Sequence, residues 1–150
     1  MVHRRTLRGL IWASLGLQLG GLVYDIFWHA LHSGFEATTR VEMLQHLGTV
    51  HVPIYLGVLC VVLTTAMALF RQVSLGDHGA ALPIAFVGAM ISAIGETWHA
   101  YKHLQLATHG GPLAAAVSFF GFLLVVSALW RSRITDRGHL AGDIDERRVA

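Results

Sequence analysis

Long apolar runs separated by short polar stretches set the rhythm of the chain. They cover roughly 7–32, 52–70, 82–104 and 112–130, and each reaches the ~20 residues a helix needs to cross ~30 Å of hydrocarbon. None carries the polar face that a helix in a soluble bundle turns to water. Small residues within the runs, such as Gly20-Gly21 and Gly88-Ala89, let neighbouring helices approach closely. The pattern predicts an all-α integral membrane four-helix bundle over 1–130, followed by a charged tail over 131–150. The first run is too long for the core of a signal peptide. It holds Asp25 and His29 near its end and lacks a small-residue cleavage site, so it is expected to remain as a helix.

Composition agrees: the chain is 54% hydrophobic and only 13% charged, against about 25% charged in soluble domains. The net charge of +2 hides a segregation. Arg4, Arg5, Arg8, Arg71, Arg131, Arg133, Arg137, Arg147 and Arg148 fall at the N-terminus, in the central loop or in the tail, whereas only Arg40 and Lys102 fall on the other side. The positive-inside rule then places both termini in the cytoplasm, in a plasma or inner membrane. The tail mixes Arg, Asp and Gly without apolar periodicity. It is expected to be partly disordered and to touch anionic lipid, not to form a nucleic-acid arm. Cys60 lies mid-span and is expected to pack.

Against this apolar background, seven of the ten histidines gather at the edge opposite the arginines, together with acids. The candidate metal ligands are Asp25, His29, His32, His46, His51, Glu96, His99, His103 and His109, with Glu42 left open. Ionisable groups at a bilayer edge are costly and therefore face a protein interior with a task there. Trp28-His29-Ala30 recurs as Trp98-His99-Ala100, each with an acid before it and a further histidine after it. This suggests two pseudo-repeated transmembrane hairpins, helices 1–2 and 3–4, related by an axis along the membrane normal.

Helical geometry sharpens the reading. At ~100° per residue, Asp25, His29 and His32 fall within a ~60° arc, as do Glu96, His99 and His103. Glu96-x-x-His99 has the spacing by which bundles present a carboxylate and an imidazole to a metal pair. Pro53 suits the first turn of the second span, so a break near Thr49–His51 would let His51 act from a helix N-terminus. Trp12, Trp28, Trp98 and Trp130 read as interfacial belt residues, and Tyr24, Tyr55 and Tyr101 as anchors bordering the cluster.

These features predict a membrane metalloprotein with a His/carboxylate multinuclear centre, two ions in preference to one, at the outward membrane edge. One ion would sit on Asp25, His29, His32 and His46 or His51, its partner on Glu96, His99, His103 and His109. Iron or copper is favoured, and zinc would indicate hydrolysis or structure. With an open coordination position, the chemistry would be oxidation of a hydrophobic, membrane-soluble small molecule. The alternatives are a haem b electron-transfer protein, or a non-enzymatic metal carrier or sensor, acting as a homo-oligomer or as a subunit of a larger membrane complex. Nucleophile elbows, P-loops, dinucleotide fingerprints, H-E-x-x-H and the HxxxH/HxxHH boxes of membrane desaturases are missing. Over five residues, Asp25-x-x-x-His29 resembles the Asp/His copper ligands of the C-type subunit of membrane copper monooxygenases. That family's surroundings do not accompany the motif, and no membership follows from it.

Overall fold

A computed structural model describes the backbone over residues 4–107 and 111–149, with side chains over 6–107 and 111–132. The described residues form five helices and no strand: α1 (Arg4–Leu31), α2 (Arg40–Leu47), α3 (Val52–Ser74), α4 (Ala81–Leu104) and α5 (Pro112–Val149). Four are long and apolar enough to cross a membrane, over Thr6–Leu31, Val52–Ser74, Ala81–Leu104 and Pro112–Ser132. The fifth, α2, is an addition to the four helices expected. Its start follows from a capping box. Thr39 accepts from the Glu42 backbone while the Glu42 carboxylate reaches back to the N-cap backbone, satisfying donors that a short helix otherwise leaves orphaned.

Helix α5 also departs from expectation, because its backbone stays helical as far as Val149 where partial disorder was expected. Five arginines, two alanines, Leu140 and Glu146 occur in 131–150, good helix formers that outweigh Gly138 and Gly142. A helix already nucleated in the span needs only propagation to continue through them.

Helix α1 packs on α3, α4 on α5, and α3 on α4. Close approach depends on glycine at the crossings. A Cβ at Gly57 would run into the backbone of Gln18, and one at Gly121 into that of Ser92, the small-residue contact that brings membrane helices together. The main apolar core draws on all four spans and lies toward the arginine-rich end. It includes Leu7, Ile11 and Leu15 of α1, Val61 of α3, Ala85 of α4, and Val125 and Leu129 of α5. There Arg8 donates to Ser132 Oγ and to the Leu129 carbonyl, tying α1 to α5. At the opposite end the apolar core is small, formed by Ala37, Met43 and Leu47 with Phe35 and Tyr55 against them. Histidine and acid take over from there.

Candidate metal centre

Four elements deliver the cluster. Helix α1 brings Asp25 and His29 one turn apart, α2 brings His46 inward on its last turn, and α4 brings His99 and His103 one turn apart. His51 is the N-cap residue of α3, with Pro53 in the first turn behind it. The break that places it there is a tight turn, in which Val50 N–H donates to the His46 carbonyl. His51 is fully buried, His103 is 1% exposed and His46 is 4% exposed.

Their facing atoms converge. His51 Nε2 lies 3.4 Å from Asp25 Oδ1 and 3.3 Å from His46 Nε2, while His29 Nε2 lies 3.5 Å from the same Asp25 oxygen. On the α4 side, His103 Nε2 is 3.1 Å from His99 Nε2. Two sets can each present ligand atoms within 4.8 Å of one another: Asp25, His29, His46 and His51, and His51, His99 and His103. His51 belongs to both. Around an ion with bonds of about 2.1 Å, neighbouring ligand atoms stand about 3.0 Å apart in an octahedron and about 3.4 Å in a tetrahedron. Three of the observed separations, 3.1, 3.3 and 3.4 Å, fall in that window, and His29–Asp25 at 3.5 Å lies just beyond it.

Hydrogen bonding accounts for the arrangement less well. The Asp25 contacts exceed the usual 2.7–3.2 Å, and Asp25 Oδ1 is buried with no hydrogen-bond partner. One N–H also serves one acceptor along its axis, whereas a cation among the four atoms would serve them all. The charge state is suitable too. Burial, reinforced by His29, pushes the His46 imidazolium down to about 4. Burial and then the surrounding imidazoles of His103, His46, His99 and His29 push His51 down to about 3. Both rings are therefore neutral at neutral pH, the form that binds metal.

The remaining candidates lie elsewhere. His32 is exposed, stacks on Trp28 at 4.3 Å, and hydrogen-bonds the Trp28 carbonyl through Nδ1. It belongs to neither set. Glu96 also stands outside both sets, with Oε2 buried and unpartnered beside the cluster. Glu42 is occupied by its cap, where hydrogen bonds from the Thr38 backbone, the Thr38 hydroxyl and the Thr39 backbone hold its carboxyl below the usual range. His109 lies outside the described residues.

Two residues read as belt or anchor line the centre instead. Trp28 packs edge-on to His29 at 5.1 Å and against His46 at 4.6 Å, so its ring walls the cluster. Tyr55 stacks on His51 at 5.9 Å with its hydroxyl buried, whereas Tyr24 and Tyr101 are exposed. Neither placement has a distinct sequence signal, because an aromatic near a span end reads alike whether it faces lipid or protein. Deeper in the bundle, Gln18 donates to Ser92 at 2.9 Å, and Ser92 pairs with Ser118 at 3.2 Å, threading α1, α4 and α5 together below the histidines. Comparison with protein-family models, with curated proteins and with solved structures finds no match for this chain.

Proposed function

We propose that the chain is an integral-membrane metalloprotein whose Asp25, His29, His46, His51, His99 and His103 hold a transition-metal centre of one or two ions, with His51, common to both groups, ligating one of them. The observation that carries this reading is the convergence of these ligand atoms on His51 at separations suited to neighbouring positions around one ion. A set of five imidazoles and one carboxylate suits iron or copper, with zinc as the redox-silent option. Glu96, beside Asp25 and His99 in the same lining, is a reserve carboxylate, and His32 lies outside the ligand set.

The haem alternative fits poorly. The closest imidazole pairs, His46–His51 at 3.3 Å and His99–His103 at 3.1 Å, have the spacing of neighbouring ligands on one ion, and acids stand among them where a haem would want an apolar slot. The pseudo-repeat gains support at the crossings. Gln18 meets Gly57, and Gly88 meets Gly121, each ten residues before its own Trp-His-Ala triplet. The segregation of arginines supports an outward-facing centre.

The test is metal analysis with absorption and magnetic spectra on the purified full chain. The expected result is one to two equivalents of iron, copper or zinc and no Soret band. A Soret band, or a chain that takes up no transition metal from any of the three salts, overturns the reading.

A further inference from the structure

A cavity of about 370 Å³ opens beside the histidine cluster, between α1 and α5. Its walls are graded. At the mouth stand Leu19, Ile26 and Phe119, 45%, 61% and 46% exposed on the face that meets lipid. At the floor stand Gln18, Ile54 and Ser118, all buried, with Glu96, Asp25 and His99 on the side of the metal ligands. Such a volume sits near the lower end of small-molecule sites, about 300–1,000 Å³. It is room for a head group and a stretch of tail, and too little for another helix.

The hydrogen bonds at the floor have a direction. Gln18 Nε2–H donates to Ser92, Ser92 pairs with Ser118, and the Ser118 side chain bonds Glu96. Around the cavity, Gln18 Oε1 and Glu96 Oε2 remain as acceptors without a hydrogen bond, while Asp25 Oδ1 and His99 Nδ1, also without one, lie on the side of the metal ligands. Gln18 is only 5% exposed, and its amide orientation is set by the bond to Ser92. Buried acceptors left unsatisfied in an apolar setting call for a donor.

We infer that this cavity binds a membrane-soluble molecule with an apolar tail and a hydroxyl head, which enters sideways from the bilayer between α1 and α5. The hydroxyl donates its one proton to Gln18 Oε1, with Glu96 beside it, and the tail leaves along Leu19, Ile26 and Phe119. This places the hydroxyl beside the Asp25 and His99 edge of the centre; it rests on the metalloprotein reading and deepens it by naming a ligand class. Long-chain alcohols and quinols share that chemistry.

The experiment uses the full chain in phosphatidylcholine nanodiscs, labelled by a dodecanol probe carrying a diazirine in its tail, with metal content measured in parallel. Label is expected in the peptides around 18–26 and 115–122. It should be competed by dodecanol about tenfold better than by dodecane, the difference one buried hydrogen bond makes. A quinol with a short apolar tail, competing better or worse than dodecanol, distinguishes the two sources. Ala115→Phe should fill the cavity and remove most of the label, and Gln18→Met should bring dodecanol and dodecane close to parity. Label spread evenly over the lipid-facing helices, or equal competition by dodecane in the unmodified chain, overturns the pocket whatever the metal content. Confined label on a chain that holds no metal overturns the centre and leaves the pocket standing.

Discussion

His51 occupies a position that asks little of the backbone. At the N-cap of α3 it is released from the helical ladder, and Pro53 has already given up the amide that an interior position would need. Its ring can therefore be set by its neighbours. Because His51 belongs to both ligand sets, His51→Ala should remove most of the bound metal. His29→Ala and His99→Ala should each remove part of it, while His32→Ala and His78→Ala leave the stoichiometry unchanged; metal analysis of the five variants checks this. The rings of His46 and His51 also fix a pH dependence for the metal-free chain. Their folded pKa values, about 4 and about 3, lie below the ordinary 6.5. The unfolded chain thus takes up protons first as pH falls, so the stability these rings contribute is complete above 6.5 and drains away toward 4 and below. Thermal unfolding of chelated protein should give a flat midpoint above neutrality and a falling one between about 6.5 and 4; a flat profile there would contradict the burial of these rings. Most of the residues that converge in the cluster were legible in the sequence, because an ionisable residue in an apolar run is too costly to keep without a partner or a task. Glu42 was equally readable as the second half of Thr39-x-x-Glu42. A carboxylate's identity alone does not choose between capping and coordination.

At the level of elements, α2 carries the most consequence for its length. It bears His46, packs against α4, and is held at its start by Thr38, Thr39 and Glu42. Thr39→Ala should weaken the helix by roughly 1 kcal/mol and lower metal affinity through His46 without altering the spans. Circular dichroism paired with metal titration separates those effects. Periodicity over a long run revealed the four spans, but eight residues with mixed polarity give no such signal, and α2 emerges only through its caps. The helical continuation of α5 was hidden for a related reason. Apolar period is the signal by which a helix is read, and the sequence of 131–150 carries none. The crossings make a sharper prediction. Gly57→Leu and Gly121→Leu should each force a helix pair apart, α1 from α3 and α4 from α5 respectively, at about 1–3 kcal/mol, visible as a lower unfolding temperature in detergent.

For the molecule as a whole, orientation is the property that most changes what the centre can meet. In a Cys60→Ser background, Gly34→Cys should react with a membrane-impermeant maleimide on intact cells, and Asp77→Cys should react only after lysis. The reverse result would turn the centre toward the cytoplasm. The uneven core has a mechanical consequence. Leu7, Ile11, Leu15, Val125 and Leu129, with Arg8 bridging α1 to Leu129 and Ser132, grip the helices at one end. The other end has little apolar packing and many candidate ligands. With an ion bound as proposed, the bundle would be a pair of tongs, riveted at the arginine end, its jaws clasped by that ion. Stripping that ion should let the jaws spring while the rivet stays fixed. Amide exchange would quicken around 29–55 and 96–104, and the turn containing Leu7 and Ile11 would keep its protection.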